Sequence, residues 1–398
     1  MTWRYKVARG AVIFVNRLAR RIGRGSGTVI GGRVGLAISG NLLTDLTRDR
    51  TVVLVSGTNG KTTTTAMITA GWGGNVATNA TGSNMVQGHV AALADSLGNR
   101  AVLEVDESWL PETIVATRPS VVTLLNLSRD QLDRASEVRH LAELWREAVK
   151  NSPEVTFVAN ANDPLVVYAT RDGARVVWCD VPTPWRLDAA SCPRCAQSLR
   201  FSQTSWECEC GFAKPSTVDT FTDGGLTVRG HPLSLDLALP GEFNVANAAV
   251  ALTALSVLGA DVPSALARLN GLTSVAGRYA IRKWGPRDLR LILAKNPAGF
   301  SAALPLIGAG ELWIAINARV ADGRDPSWLY DVPFEQLTGR KVICLGERRL
   351  DLATRLFYAG VDATVVDELD SLAVPGAPVT VVANYTAFEQ WRQRTVEC

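Results

Sequence analysis

The sequence predicts an α/β protein of two or three domains with mostly parallel sheets. Three observations support this fold class. Apolar β-rich runs alternate with helical stretches from about Thr51 to Ala280, and a second series begins at Ile281. One such run ends in a glycine-rich turn that contains Lys and Thr, and four cysteines form a compact pair of pairs. The length of 398 residues is sufficient for more than one buried core.

The chain is predicted to divide into three parts. Residues 1–45 form a basic segment, residues 46–280 a central P-loop domain and residues 281–398 a C-terminal Rossmann-like α/β domain. Within the central part, residues 121–125 are predicted to be a strand, and residues 139–150 and 245–258 helices. The apolar runs predict four strands in the last part, at residues 289–294, 312–316, 342–345 and 379–382.

The N-terminal segment is predicted to form a basic amphipathic helix. Its basic residues, with no acidic residue before Asp45, are Arg4, Lys6, Arg9, Arg17, Arg20, Arg21, Arg24 and Arg33. The apolar stretch at residues 11–15 is too short for a signal peptide or a membrane span. Two interpretations stay open: attraction to an anionic membrane surface or a pyrophosphate-bearing lipid, and an ordinary solvated helix face. The overall charge of +3 does not by itself indicate a nucleic-acid-binding protein.

The segment from Thr51 to Thr65 is predicted to bind a nucleoside triphosphate. A β-branched strand breaks into a glycine-rich turn followed by a helix, which directs backbone N–H groups at one point. Lys61 is expected to reach the β- and γ-phosphates, and Thr62 to hold Mg²⁺. The usual P-loop glycine five residues before Gly60 is replaced by Val55. The predicted nucleotide-binding residues here are Gly57, Thr58, Asn59, Gly60, Lys61, Thr62 and Thr63.

Four of the seven cysteines are predicted to hold structural zinc. Cys192 and Cys195 form one pair, and Cys208 and Cys210 form another after twelve intervening residues. This spacing is typical of a Cys₄ zinc ribbon, and the insertion is placed at about residues 188–215. Four thiolates leave no position for water, so the predicted role is not catalytic. Disulfides are the alternative, but no secretion signal supports them.

Several segments resemble the Mur ligase superfamily, whose members form amide bonds by activating a carboxylate with ATP. The resemblance assigns Glu104 as a metal ligand and places a second metal site near Asn126, where Gln131 replaces the usual His. It also implies that Asn244 and Asn247 contact the nucleotide base and that Arg278 contacts phosphate. For Asn244, a simple helix cap is the alternative. The implied catalytic residues include Lys61 and Glu104.

The last domain favours one branch of that superfamily, the ligase subunit of lipid II isoglutaminyl synthase. The segments 294–299, 317–331 and 384–387 carry this resemblance, together with the four cysteines and Gln131. It implies ATP-dependent amidation of the D-glutamate α-carboxylate of the lipid II stem peptide, through an acyl phosphate. Ammonia would come from a GatD-like glutaminase in a heterodimer, with Asp331, or else Asp325, orienting the glutaminase His. The implied location is cytoplasmic, with peripheral contact at the inner membrane face.

Three other functions remain as alternatives. An amino-acid-adding ligase of the Mur or folylpolyglutamate type would share the ATP site, but it is expected to use a His and a Lys that this chain lacks. A zinc-ribbon nucleic-acid module would leave the ATP site unexplained, so no nucleic-acid partner is predicted. A catalytically inactive subunit is disfavoured by Lys61, Thr62 and Glu104. The three His residues show no Cys-His glutaminase site within the chain.

Overall fold

The structure, a computed structural model, describes residues 3–21, 28–79, 83–129, 138–183, 185–216, 219–222, 225–228, 230–273, 278–367 and 376–397. It contains two compact units. The first comprises Met1–Leu127, Val138–Ala238 and Glu242–Thr273, and the second comprises Ser128–Glu137, Leu239–Gly241 and Ser274–Cys398. Both units are built on mixed, mainly parallel sheets, which confirms the predicted fold class. The predicted bounds of the three sequence segments remain predictions.

The first unit is organised around a nine-stranded sheet with the order β11-β10-β9-β6-β5-β4-β1-β3-β2. Its strands are β1 Thr51–Ser56, β2 Val76–Thr78, β3 Arg100–Glu104, β4 Val121–Leu124, β5 Thr156–Asn160, β6 Val176–Asp180, β9 Asp219–Thr222, β10 Gly225–Val228 and β11 His231–Leu233. Strands from β2 to β9 across the sheet pair in parallel, and β10 and β11 add antiparallel strands at one edge. The central strands β1 and β4 are mostly apolar and almost entirely buried, because both faces of the sheet are covered.

Ten helices are described in the first unit: α1 Trp3–Arg21, α2 Thr28–Ile38, α3 Leu42–Thr47, α4 Lys61–Trp72, α5 Val86–Asp95, α6 Leu110–Thr117, α7 Val138–Lys150, α8 Pro164–Thr170, α9 Glu242–Val257 and α10 Val262–Asn270. The predicted helices at residues 139–150 and 245–258 correspond to α7 and α9. Asn244 lies in the first turn of α9, which begins at Glu242, so it is not the N-cap residue. None of the described helices has the length and apolar character needed to span a membrane.

The four-cysteine segment lies between β6 and β9. It contains a short hairpin of β7 Arg200–Phe201 and β8 Trp206–Glu207. Trp206 donates a hydrogen bond to the Ala161 carbonyl at 3.0 Å, and its ring lies 4.9 Å from that of Phe212. Both aromatic rings are buried in the core of the first unit. The hairpin therefore packs onto the unit through apolar contacts as well as through its cysteines.

The second unit contains a seven-stranded sheet with the order β16-β15-β14-β17-β13-β12-β18. Its strands are β12 Tyr279–Trp284, β13 Arg287–Leu293, β14 Glu311–Ala315, β15 Lys341–Leu345, β16 Asp362–Val365, β17 Val379–Ala383 and β18 Val396–Glu397. Its described helices are α11 Pro297–Ala303, α12 Arg349–Tyr358 and α13 Tyr385–Arg394. The four strands predicted from apolar runs correspond to β13, β14, β15 and β17. The polar segment 317–331 follows β14, and the segment 384–387 follows β17 and includes the start of α13.

Candidate nucleotide-binding and metal sites

The turn between β1 and α4 has the backbone geometry of a phosphate-binding loop. Gly57 has φ of +144° and Gly60 has φ of +89°, a conformation that only glycine adopts without strain. A Cβ on Gly60 would lie 2.5 Å from Asn247 Oδ1. Helix α4 begins at Lys61, so its first N–H groups point out of the helix N-terminus, where the helix dipole favours an anion.

Asn126 connects this loop to the end of β4. Its Oδ1 accepts a hydrogen bond from Asn59 N at 2.9 Å, and its Nδ2 donates to Asn59 O, also at 2.9 Å. The backbone N–H of Thr58 donates to the Asn126 carbonyl at 3.0 Å. The amide side chain thus satisfies both backbone groups of Asn59 and fixes the loop against the neighbouring strand.

Lys61 forms a buried ion pair inside the loop. Its Nζ lies 3.0 Å from Glu107 Oε1 and donates to the Gly57 carbonyl at 2.6 Å. The Lys61 and Glu107 side chains are only 5% and 10% exposed. The Glu107 backbone is also held, because Trp145 Nε1 donates to its carbonyl at 2.9 Å. A neutral residue at position 61 would remove the cation from a buried carboxylate, which costs about 3–5 kcal/mol.

Thr62 and Glu104, the two residues predicted to hold magnesium, are in direct contact. The Thr62 hydroxyl donates to Glu104 Oε2 at 2.7 Å, and both residues are buried. These are hard oxygen ligands of the kind that Mg²⁺ prefers, and they lie beside the phosphate loop. A Mg²⁺ ion held by one or two protein oxygens completes its shell with phosphates and water. The donor set therefore fits the predicted cofactor, and the two residues that would hold it are Thr62 and Glu104.

The backbone of Glu104 is fixed by two side chains that the sequence did not identify. Asn79 accepts from Glu104 N at 2.8 Å and donates to Glu104 O at 2.9 Å. His89 Nε2 lies 2.8 Å from the same carbonyl, and because the carbonyl only accepts, Nε2 carries the proton. His89 is fully buried, and this burial lowers its pKa to about 4. It is therefore neutral near pH 7, and it acts as a fixed donor rather than as a charge.

Asn244 and Asn247 lie on the first two turns of α9 and are both buried. The hydroxyl of Thr64, on α4, donates to Asn247 Oδ1 at 3.3 Å. This contact places Asn247 against the P-loop helix. Asn247 also lies close to Gly60, where its amide oxygen leaves no space for a side chain. The predicted contact of Asn244 and Asn247 with a nucleotide base remains a prediction.

The four predicted zinc ligands form one cluster. The Sγ atoms of Cys192, Cys195, Cys208 and Cys210 all lie within 4.8 Å of one another. The separations are 3.7 Å for Cys192 and Cys210 and 3.4 Å for Cys195 and Cys208. A tetrahedron with Zn–S bonds of about 2.3 Å has edges of about 3.8 Å. A disulfide needs sulfurs at about 2.05 Å. Geometry and donor chemistry therefore fit a metal ion better than the disulfide alternative.

The segment 317–331 of the second unit contains three aspartates, and these differ in burial and in hydrogen-bond partners. Asp322 is 2% exposed and accepts hydrogen bonds from the backbone and hydroxyl of Thr386, so it holds the loop in place. Asp325 is exposed and accepts from Ser327 N at 2.9 Å. Asp331 ends a 3₁₀ turn, is about one-third exposed, and lies 3.3 Å from Arg129 Nη1 within the same unit. Asp322 is thus structural, while Asp325 and Asp331 remain accessible.

Two further residues predicted for the site are Arg278 and Gln131. Arg278 belongs to the second unit, directly before β12, and its phosphate-binding role remains a prediction. Gln131 lies outside the described residues. Glu107, Asn79 and His89 were missed as parts of the site. Glu107 had a sequence signal, because it closes the same acidic run as Glu104, but His89 had none.

Comparison with known proteins identifies the class. Residues 55–255, half of the chain, match the family described as Mur ligase middle domain. The chain therefore belongs to the Mur ligase family. Within it the resemblance is to MurT, since residues 293–388 match the family described as MurT ligase C-terminal.

Individual relatives agree with this assignment. The Streptococcus pneumoniae (strain R6) protein named lipid II isoglutaminyl synthase (glutamine-hydrolyzing) subunit MurT is 28% identical, and the alignment covers 94% of this chain and 93% of that protein. The Staphylococcus aureus (strain COL) protein of the same name is 29% identical, with 90% of each chain covered.

Solved structures show the same fold. A pseudomurein peptide ligase type C from Methanothermus fervidus has a TM-score of 0.69 at 20% identity and covers 89% of this chain and 80% of its own. The MurF ligase of Thermotoga maritima in complex with ADP has a TM-score of 0.63 at 15% identity, covering 90% and 83%. At these identities the likeness concerns the fold alone.

Proposed function

We propose that this chain is the ligase subunit of a lipid II isoglutaminyl synthase. It uses ATP to convert the α-carboxylate of D-glutamate in the lipid II stem peptide into the amide of D-isoglutamine. The observation that carries this proposal is the contact of Thr62 with Glu104 beside Lys61, in a loop shaped by Gly57 and Gly60. The names of the MurT relatives supply the substrate and the amide donor.

Each site residue has a separate proposed role in phosphoryl transfer. The α-carboxylate attacks the γ-phosphoryl group of ATP, which gives an acyl phosphate and ADP. Lys61 and the N-terminus of α4 stabilise charge on the phosphate oxygens. Thr62 and Glu104 would hold Mg²⁺, which neutralises phosphate charge when bound. Asn244 and Asn247 are proposed to contact the base, and Arg278 the phosphates.

The second half of the reaction needs ammonia and exclusion of water. Ammonia attacks the acyl carbon, the carbon–oxygen bond to phosphate breaks, and the amide nitrogen loses a proton as phosphate leaves. Because water would hydrolyse the acyl phosphate, ammonia delivered directly by a bound glutaminase has an advantage over ammonium in solution. We therefore propose a GatD-like glutaminase subunit as partner, in a heterodimer, with lipid II bound at the cytoplasmic face of the membrane.

Exposed apolar side chains on the Asp331 turn and on the neighbouring helix α12 support a protein partner there. They are Tyr330, Leu350, Phe357 and Tyr358, each more than half exposed. Leu350 and Phe357 lie seven residues apart, on one face of α12. Arg355 of the same helix donates to the Val332 carbonyl at 2.8 Å, which fixes α12 next to the Asp331 turn. Exposed large apolar side chains on adjoining elements are typical of an interaction surface, and Asp331, next to Tyr330 in the chain, is the proposed partner of the glutaminase His.

The four cysteines are proposed to bind structural zinc. The ion would hold the β7–β8 hairpin so that Trp206 and Phe212 remain packed on the first unit. Four thiolate ligands leave no site for water or substrate, so zinc takes no part in amidation.

The direct test is mass spectrometry of lipid II after incubation with this chain and MgATP. The nitrogen source is ammonium in one arm, and glutamine with the co-purified glutaminase in the other. Exchange of OH for NH₂ lowers the mass by about 1 Da per stem peptide, as the acyl-phosphate route requires. If lipid II stays unchanged in both arms while added amino acids become ligated, the alternative of an amino-acid-adding ligase replaces this proposal.

Variants separate the two half-reactions. Asp331→Asn is expected to retain amidation with ammonium and to lose it with glutamine, because only the glutaminase would need the carboxylate. Asp325→Asn is the matched control and is expected to keep both activities. Equal loss with both nitrogen sources in Asp331→Asn would show that Asp331 has another role.

Lys61→Gln tests the ATP site. It is expected to abolish ATP hydrolysis, whereas Lys150→Gln, at an exposed lysine, is expected to leave it unchanged. Since Lys61 pairs with the buried Glu107, the variant is also expected to melt at a lower temperature. ATP turnover at wild-type rates in a folded Lys61→Gln protein would contradict the assigned site.

A further inference from the structure

Helix α1 is held firmly on the first unit by one of its faces. Tyr5, Ala8, Val12 and Asn16 are buried at intervals of three and four residues. Arg9 Nε donates to the Ala94 carbonyl at 3.0 Å, and Arg20 pairs with Asp95 at 2.8 Å. The face of α1 that points away from the unit is therefore defined.

That outer face is apolar as well. Trp3, Val7, Phe14 and Leu18 are 70%, 49%, 67% and 46% exposed. Their spacing of four, seven and four residues places them on one stripe, roughly opposite the buried face at about 100° per residue. The outer face of a surface helix is ordinarily polar, so this stripe needs an explanation other than packing within the described unit.

Cations border the stripe. Arg4, Lys6, Arg17 and Arg21 are exposed, and none of them pairs with an acidic side chain in the part of the chain that the structure describes. The sequence contains no acidic residue before Asp45. The charged side chains that border this apolar stripe are all positive. A complementary surface therefore has an apolar interior and a negatively charged outer layer. The phosphate layer of an anionic bilayer has that arrangement, and Trp favours the same depth.

We propose that the outer face of α1 docks on an anionic lipid bilayer, with the helix lying in the plane of the interface. Trp3, Val7, Phe14 and Leu18 enter the boundary of the acyl chains, while Lys6, Arg17 and their neighbours contact lipid phosphates. The docking concerns the lipid surface itself and does not depend on the amidation chemistry. It would keep the ligase beside substrates that are anchored in the membrane.

The experiment is flotation of the full chain with vesicles of phosphatidylcholine, with and without phosphatidylglycerol. Binding is expected only with phosphatidylglycerol and is expected to weaken as salt is added. Phe14→Ser with Leu18→Ser is expected to weaken binding at least about tenfold, because two exposed apolar anchors are lost. Arg17→Gln is expected to weaken it about fivefold. Val115→Ser, at a 76% exposed position on α6, is the matched control and is expected to bind like wild type.

Three results of the flotation experiment would overturn the proposal. These are wild-type binding by the Phe14→Ser/Leu18→Ser protein, equal binding to vesicles without phosphatidylglycerol, and no binding to either. Sedimentation without vesicles tests a second copy of the chain as the occupant: a wild-type dimer that the double substitution dissociates would also overturn it. Amidation of detergent-solubilised lipid II is expected to be unchanged in the double variant. The vesicle-binding experiment can therefore refute the docking proposal without refuting the catalytic proposal, and the amidation assay can do the reverse.

Discussion

Replacement of His89 by Gln is expected to change how the stability of the first unit depends on pH. Burial lowers the His89 pKa from 6.5 to about 4, and Nε2 donates to the Glu104 carbonyl. Nδ1 has no hydrogen-bond partner among the residues that the structure describes. Gln has a similar length and can donate to the same carbonyl, but it does not titrate.

The sign of the effect follows from which state binds the proton. Between pH 6.5 and about 4 the unfolded chain protonates His89 and the folded chain does not. The contribution to stability is thus present above the unfolded pKa and is lost as the pH falls toward the folded pKa. From about pH 7 to about pH 5, the linkage relation gives a loss of roughly 2 kcal/mol in the free energy of unfolding.

The assay is urea unfolding of wild type and His89→Gln at these two pH values. Asp163 acts in the opposite direction, because burial raises its pKa to about 6, so stability linked to it falls as pH rises through that range. Its contribution is common to both proteins and cancels in the comparison. Wild type is expected to lose about 2 kcal/mol more than His89→Gln. Parallel losses in the two proteins would refute the assignment of a buried neutral His89.

Other substitutions test the loop and the metal cluster. Asn126→Ala removes two hydrogen bonds to Asn59 and is expected to cost about 1–3 kcal/mol of stability, measured by thermal melting. It is also expected to weaken ATP binding, because Asn126 positions the loop. Unchanged ATP affinity would contradict that role. Gly60→Ala forces a residue with a Cβ into the left-handed backbone conformation, which costs about 1–2 kcal/mol of stability. It is expected to reduce ATP affinity at least about tenfold in titration calorimetry, and wild-type affinity would contradict the loop geometry. Cys208→Ser is expected to lose about one zinc per chain by metal analysis and to melt earlier, whereas Cys344→Ser keeps the metal; equal zinc content in both proteins would contradict the cluster.

The parts of the site that are local in sequence could be predicted from it. The strand, turn, Lys and Thr of the phosphate loop occur within one short segment, and β1 and the start of α4 lie where that segment predicts a strand and a helix. The two cysteine pairs are similarly local, and their sulfurs come together as their spacing predicts.

Contacts between distant segments could not be predicted in this way. Asn126 reaches Asn59 across 67 positions because β4 and β1 are neighbours in the sheet, and strand order is set by the whole fold. Asn79 reaches Glu104 because β2, which it follows, pairs with β3, and His89 reaches the same residue from helix α5. The sequence pattern also did not predict that α1 has one buried and one exposed apolar face, because only packing decides which face is covered.

The central claim is that this chain activates a carboxylate by phosphorylation. Its most direct test uses lipid II with oxygen-18 in the D-glutamate α-carboxylate, MgATP and ammonium. If an acyl phosphate forms, one labelled oxygen leaves with the phosphate, and the inorganic phosphate becomes heavier by about 2 Da. Amide formation with unlabelled phosphate, or with the label in AMP, would contradict the account.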